Sequence, residues 1–124
     1  MKIRIRGNSI RLRLTQSEID EFAKSGNVKD TLDFGNGIQL HYTLEKTDQS
    51  ELSSIFENNT IRTFFPQTKL FEWTKTDMVG LDNGIMDNKS LFILVEKDFQ
   101  CLKPRSGEDD ADAFPNPTAI DMVD

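Results

Sequence analysis

The chain opens with alternating cationic and aliphatic residues, and the alternation changes phase at Gly7-Asn8-Ser9. Even positions are basic in residues 2–6 and apolar in residues 10–14. Because successive side chains of a strand point to opposite faces, this change of phase has to be absorbed locally. A tight hairpin with its turn at Gly7-Asn8 absorbs it, and a β-bulge at Gly7 does so equally well. Either arrangement collects the aliphatic side chains on one face and the cations on the other.

The cations of this segment form the candidate binding site predicted from the sequence. They are Lys2, Arg4, Arg6, Arg11 and Arg13. The hairpin would place Arg4 opposite Arg11 and Lys2 opposite Arg13, and like charges directly opposite on paired strands repel. The face therefore calls for a nearby negative charge, which acidic residues of the same chain or an anionic ligand held by arginine forks could supply. A plainly solvated surface is the remaining interpretation.

Charge is distributed unevenly along the 124 residues, whose formal net charge is −6. Residues 1–14 carry +5, whereas residues 104–124 carry −5 and contain three of the four prolines. This composition predicts one domain over residues 1–103 and an acidic tail over residues 104–124. The tail is expected either to be irregular or to dock through Phe114-Pro115-Asn116-Pro117, with its aspartates over the arginines.

Turn and cap signals divide the rest of the chain into short elements. Thr15-Gln16-Ser17-Glu18 has the form of a capping box, and Gly26 is placed to end the helix that follows. Glycine and asparagine turns at 35–37 and 58–59 predict further hairpins. Residues 67–76 predict a second short helix with Leu70, Trp73 and Phe71 facing inward, the two aromatic rings as core anchors. Leu91 to Val95 is apolar on both faces, as is typical of a central strand.

These elements predict an α+β fold: an antiparallel, strongly bent sheet or open barrel of about eight short strands with two short helices. The order of the elements is consistent with a duplicated ββαββ unit. The single histidine, His41, and the single cysteine, Cys101, lie far apart in the sequence, so neither a cofactor nor a metal site is predicted. One cysteine excludes an intrachain disulfide, and no apolar run approaches the ~20 residues of a membrane span. We therefore expect a cytoplasmic protein that does not contact membranes.

Five stretches together resemble an uncharacterised family of small bacterial proteins. They are KIRIRGNSIRLRLTQSE, DFGNG, SIFENNTI, LVEKDFQCL and FPNP. The resemblance extends over nearly the whole chain, and its opening stretch is the most specific part. It implies a stand-alone protein found largely in Bacteroidetes-type organisms, with no assigned activity, and it transfers no catalytic residue.

Nucleic-acid binding is not predicted. The stretch IRLRLTQSEIDEFAKSG is similar to the start of ribbon-helix-helix repressors, but a glycine-rich hairpin follows where a second helix should stand. The net charge is acidic, and no aromatic residue of the opening segment lies among the cations to stack on bases.

An enzymatic alternative comes from a resemblance in outline to the triphosphate-tunnel fold. Those barrels bind polyphosphate through inward Lys and Arg and metal through inward glutamates, and here Glu96 and Asp98 would be the nearest acidic pair. However, Lys2-Ile3-Arg4-Ile5-Arg6 lacks the E-x-E-x-K pattern of that family's first strand, so Mg²⁺ has no evident ligands.

The sequence thus favours a non-enzymatic binding or interaction module. Its basic strand pair would bind a phosphate-containing small molecule, an acidic protein partner or the chain's own acidic tail. The alternative is a triphosphate-tunnel-like phosphohydrolase or polyphosphate binder. The sequence makes no prediction of oligomeric state.

Overall fold

A computed structural model describes residues 1–87 and 89–99. The elements, in chain order, are β1 (Lys2–Ile5), β2 (Ser9–Leu14), α1 (Gln16–Ser25), β3 (Asn27–Gly35), β4 (Ile38–Thr47), β5 (Ser53–Glu57), β6 (Thr60–Pro66), α2 (Leu70–Lys75), β7 (Gly80–Asp82) and β8 (Phe92–Lys97). A 3₁₀ turn, Gln67–Lys69, leads into α2. The predicted α+β class with eight strands and two short helices is therefore confirmed. The predicted tail over 104–124 lies outside the described residues.

The strands form two four-stranded sheets, and the described residues contain no closed barrel. Sheet A has the order β1-β2-β8-β7, and sheet B has the order β3-β4-β6-β5. In each sheet two antiparallel hairpins are joined by a parallel central pair, β2 with β8 and β4 with β6. The prediction of a single antiparallel bent sheet or open barrel is therefore wrong, because the eight strands divide into two sheets and the central pair of each sheet is parallel. Alternation and turn residues specify the faces and the hairpins, but they do not specify how hairpins associate.

The first hairpin has the predicted form rather than the bulge alternative. The Arg6 N–H donates to the Ser9 carbonyl at 3.2 Å, and the Ser9 N–H donates to the Arg6 carbonyl at 3.1 Å. Gly7 has φ 54°, a value that favours glycine at the first central position of a two-residue turn. The register places Arg4 opposite Arg11 and Lys2 opposite Arg13, as predicted.

Helix α1 begins and ends where the sequence predicts. The Glu18 N–H donates to the Thr15 hydroxyl at 3.4 Å, and the Thr15 N–H donates to the Glu18 carboxylate at 2.8 Å, which completes the capping box. Gly26 has φ 73°, and its N–H donates to the Phe22 carbonyl at 2.8 Å. The amphipathic helix thereby buries Ile19 and Phe22.

An aromatic cluster joins both helices to sheet B in the core. Phe65 of β6 stacks on Trp73 of α2 with ring centroids 4.9 Å apart, and Phe22 of α1 meets both rings edge-on. The Trp73 Nε1–H donates to the Val79 carbonyl at 3.0 Å, so its polar atom is satisfied although the side chain is buried. The prediction that Phe71 is a second core anchor is wrong, since it is 73% exposed. In a helix it is Leu70 that shares a face with Trp73, at a spacing of i and i+3.

Sheet A contributes the opposite side of the core. Leu12, Leu14 and Val95 are fully or almost fully buried on its inner face. The start of the chain also ties the two sheets together, because the Tyr42 hydroxyl on β4 donates to the Met1 carbonyl at 2.9 Å. No helix in the described part is long and apolar enough to cross a membrane.

Candidate functional site

The structure brings the cations of the opening segment together on the outer face of sheet A. Leu12 and Leu14 are 0% and 1% exposed on the inner face, whereas the side chains of Arg11 and Arg13 keep about a third of their surface exposed. Arg4 and Lys2 lie opposite them on β1. We call this surface the basic face, and its five cations are Lys2, Arg4, Arg6, Arg11 and Arg13. All of the site residues predicted from the sequence belong to it.

Two carboxylates at the end of β8 neutralise part of the basic face. The parallel pairing of β2 with β8 places Arg13 beside Glu96. Arg13 Nε donates to Glu96 Oε2 at 3.0 Å, and Arg11 Nε lies 3.4 Å from the same oxygen. Lys2 Nζ lies 2.9 Å from Asp98 Oδ2. Acidic residues of the same chain therefore contact three of the five cations. The sequence named Glu96 and Asp98 only as the acidic pair of the enzymatic alternative.

Arg4 and Arg6 differ from their neighbours. Both side chains are exposed, and neither guanidinium forms an ion pair with a carboxylate in residues 1–87 or 89–99. Arg4 nevertheless stands directly opposite Arg11, whose partner Glu96 is shared with Arg13. Near the turn of the first hairpin, the positive charges of Arg4 and Arg6 are therefore not compensated by any carboxylate of the described residues.

Shallow cavities cover this part of the surface. One of about 140 Å³ is lined by Arg4, Arg6, Ser9, Ile10, Arg11 and Phe92. A second, of about 310 Å³, is lined by Lys2, Ile3, Arg4, Arg11 and Arg13. Arg4 and Arg11 line both cavities, so these two residues lie where the cavities adjoin.

An aromatic residue lies beside the cations, although the opening segment itself contains none. Phe92 of β8 pairs with Ser9 of β2 and lines the smaller cavity together with Arg6. The Phe92 N–H donates to the Asn8 carbonyl at 3.0 Å, which anchors β8 to the turn. This pairing joins residues more than eighty positions apart, so no local pattern could place Phe92 here. The apolar run from Leu91 to Val95 was the one available signal, because it indicates a strand with neighbours on both sides.

The outer face of sheet B carries a closed charge cluster instead. Arg62 of β6 donates to both carboxylate oxygens of Glu45, from Nε at 2.8 Å and from Nη2 at 2.7 Å. Its guanidinium also lies 3.4 Å from Glu57 and 5.0 Å above the centroid of Phe64. The hydrogen bonds from Arg62, followed by the one from Thr43, hold the pKa of Glu45 below its usual range despite partial burial.

His41 lies on the same outer face, where the sequence placed it. Its Nδ1 is 2.8 Å from the Thr31 hydroxyl on β3. Among the described residues no group of three or more His, Cys, Asp or Glu side chains is arranged to hold a metal ion. Cys101 lies outside the described part of the chain.

Comparisons with known proteins give one match. Neither the curated proteins nor the solved structures contain a match to this chain. A family model matches residues 1–118, which is nearly the whole sequence. The chain therefore belongs to DUF7009, a family of unknown function.

Proposed function

We propose that the basic face binds an anionic group, the phosphate or carboxylate of a small molecule or of an acidic protein, and that Arg4 and Arg6 are its main ligands. One observation carries the proposal. Lys2, Arg11 and Arg13 each have a carboxylate partner, either Glu96 or Asp98. Arg4 and Arg6 have none among the described residues. The free donors therefore cluster at one end of the face.

Electrostatics supports an external anion at this position. Arg4 faces Arg11 across the hairpin, and cross-strand like charges destabilise a sheet. Glu96 compensates Arg11 and Arg13 together, so the Arg4 end keeps a surplus of positive charge. An oxyanion between Arg4, Arg6 and Arg11 would accept charge-assisted hydrogen bonds from several guanidinium groups at once.

Phe92 adds an apolar contact surface beside the arginines. Its ring lines the same cavity as Arg4 and Arg6, so a ligand with a planar apolar part could pack on the ring while its anionic group meets the guanidinium groups. A nucleotide has this combination, and so does an acidic peptide with an aromatic residue. Inorganic phosphate would use the arginines alone.

A binding module fits this geometry better than a tunnel enzyme. A triphosphate tunnel requires cations and carboxylates that point inward, whereas the inner face of sheet A carries buried apolar residues such as Leu12 and Val95. Glu96 and Asp98 are also engaged by cations. These two observations support a non-enzymatic module, which we propose to act in a bacterial cytoplasm.

We further propose that the fold arose by duplication of a ββαββ unit, each copy having given its second hairpin to the other's sheet. Two observations support this. In each sheet two hairpins meet through a parallel pair of central strands. A helix also follows the first hairpin of each unit, α1 after β1–β2 and α2 after β5–β6. Under this relation Arg11 corresponds to Arg62 and Glu96 to Glu45. The surplus cations are then specific to sheet A.

A thermal-shift titration tests the proposed function. The full chain is titrated with phosphate, pyrophosphate, nucleotides and a poly-aspartate peptide, the first three with and without Mg²⁺. We expect at least one anion to raise the melting temperature, and we expect the double variant Arg4→Gln/Arg6→Gln to lose most of that shift. The matched control is Lys24→Gln/Lys75→Gln, which removes the same charge from exposed positions on the helices.

The same titration on a chain ending at Leu102 separates an external ligand from the acidic tail. If the tail occupies the basic face, its removal increases the response to added anions. If no anion stabilises either the full or the shortened chain, or if the Arg4/Arg6 variant responds as the control does, the proposed function is wrong.

A further inference from the structure

Strand β3 forms a long, exposed edge of sheet B. It has nine residues, against four in β1, five in β5 and three in β7, the other edge strands. No strand of the described residues pairs with its outer side, and Thr31 to Gly35 are all exposed. Proteins usually shorten or shield such an edge, because its free N–H and carbonyl groups are a template for another strand.

The backbone groups that point outward from this edge can be assigned. The Lys46 N–H donates towards β3, to the Gly26 carbonyl, whereas the His41 N–H donates towards β6, to the Asn59 carbonyl. The backbone N–H and C=O groups of successive strand residues point to opposite sides, so those of Tyr42 point towards β3 and those of its partner Asp30 point towards β4. The outward-pointing groups of β3 are therefore those of the odd-numbered residues, Lys29, Thr31 and Asp33 among them.

An uncovered apolar surface lies next to this edge. Buried inner-face residues of sheet B, such as Val28 and Leu44, lie near the helices. Towards the β3–β4 turn three apolar side chains of this hairpin are exposed: Leu32 50%, Phe34 64% and Ile38 58%. A cluster of this kind is typical of an interaction surface.

We propose that β3 pairs with β3 of a second copy of this chain, antiparallel about a two-fold axis at Thr31, so that the two B sheets become one. In this register Lys29 lies opposite Asp33 of the second copy, and the pair occurs twice because the interface is symmetric. All three outward-pointing residues then form hydrogen-bonded positions of the new ladder. The inference does not depend on the anion-binding proposal, which concerns sheet A.

Charge complementarity selects both the occupant and the register. Lys29 forms no ion pair within the described residues. Asp33 accepts hydrogen bonds from the Gly35 N–H at 2.8 Å and from Gln39, and these hold the pKa of its carboxyl below the usual range. Pairing about Asp30 would instead set Asp30 against its own copy, and pairing about Leu32 would set Lys29 against Gly35. Only the axis at Thr31 brings the opposite charges together.

The same register creates no charge conflict on the inner face. Asp30 lies opposite Leu32 of the second copy, but its carboxylate is already 2.6 Å from the Met1 amino group. The pairing therefore leaves no new unpartnered charge.

Paired charge reversals test this dimer in the full chain by light scattering and sedimentation across a concentration series. We expect the native chain to dimerise, and we expect Lys29→Asp and Asp33→Lys each to weaken dimerisation by at least about tenfold, since each turns two attractive pairs into repulsive ones. An equimolar mixture of the two variants should recover a dimer containing one copy of each, because every contact is again between opposite charges. Lys75→Asp makes the same charge change away from the edge and should leave the native equilibrium intact.

A backbone variant guards against a local effect of Asp33→Lys on the β3–β4 turn. Thr31→Pro removes an outward-pointing N–H, not one that pairs with β4, so it should give a folded monomer by circular dichroism. The proposal is overturned if the native chain is monomeric at every concentration. It is also overturned if Lys29→Asp and Thr31→Pro leave a dimer intact, or if the folded charge variants remain monomeric when mixed.

Discussion

Sheets A and B have the same connections but different outer faces. In both, an arginine on a central strand reaches a glutamate on the neighbouring parallel strand: Arg11 with Glu96 in sheet A, and Arg62 with Glu45 in sheet B. Arg62 holds Glu45 with two short hydrogen bonds. Glu96, in contrast, is shared between two arginines. In sheet B the carboxylate therefore neutralises one arginine, whereas in sheet A one carboxylate has to compensate two arginines.

The positions around each pair explain this difference. The residue across the hairpin from Arg62 is Ile55, whereas the residue across from Arg11 is Arg4. The residue beside Glu45 is Phe64, whereas the residue beside Glu96 is Arg13. Sheet B thus has apolar side chains at these two positions, and sheet A has cations there. The added cations repel one another, and the anion binding that we propose would offset this repulsion.

The largest expected effect comes from substitutions on the inner faces of the two sheets. Phe65 and Leu14 occupy corresponding positions, beside Lys46 and Lys97 on the neighbouring strands. Phe65→Ala removes a ring from the aromatic cluster and should cost about 3–5 kcal/mol of the free energy of unfolding, whereas Leu14→Ala should cost about 2–4 kcal/mol. Urea denaturation of the two variants measures the difference. A larger loss for Leu14→Ala would mean that sheet A, rather than the cluster at Phe65, anchors the core.

The sequence predicted the local parts of this arrangement well. The phase change at Gly7 determined which face each opening residue occupies, because alternation leaves no other solution once Gly7-Asn8 forms the turn. The capping box at Thr15 and the positive φ of Asn58 and Asn59 were equally readable from residue types. These features depend on neighbours in the sequence only.

Long-range pairing was the part that the sequence did not predict. The position of Phe92 beside Arg6, and the sharing of Glu96 by Arg11 and Arg13, both follow from the parallel β2–β8 pair. Periodicity says which face a residue occupies but not which strand will lie next to it. The sequence therefore identified the cations of the candidate site, and it named Glu96 and Asp98 only as the acidic pair of the enzymatic alternative. It did not show that these two carboxylates would pair with Lys2, Arg11 and Arg13.

Removal of each glutamate gives a test of intermediate size. Because the folded-state pKa of Glu45 is lowered, its contribution to stability is present above the ordinary carboxyl pKa and is lost as the pH falls through the folded-state value. Glu45→Gln should lower the melting temperature by a few degrees at neutral pH and flatten the loss of stability in acid. Thermal melts of the native chain and this variant over an acidic pH series measure both effects.

Glu96→Gln is the counterpart in sheet A. It leaves Arg11 and Arg13 without their shared carboxylate, so its destabilisation should be greatest at low ionic strength and should diminish as salt or phosphate is added. Glu45→Gln leaves a single arginine and should depend less on salt. If the two variants respond equally to salt, the outer faces do not differ in the way that we describe.

The smallest expected effect is also the most specific, because it has opposite signs in the two sheets. Arg4→Glu replaces the repulsion between Arg4 and Arg11 by an attraction, so in an anion-free buffer it should stabilise the chain by about 0.5 kcal/mol. Arg62→Glu should destabilise, because it sets a carboxylate against Glu45. The melting temperatures of the two variants are compared without added anion and then with phosphate. Arg4→Glu should lose the stabilisation by phosphate while gaining intrinsic stability, since a residue retained for ligand binding has a cost in the unliganded fold. A lower melting temperature for Arg4→Glu in the anion-free buffer would show instead that Arg4, like Arg62, has its partner within the chain.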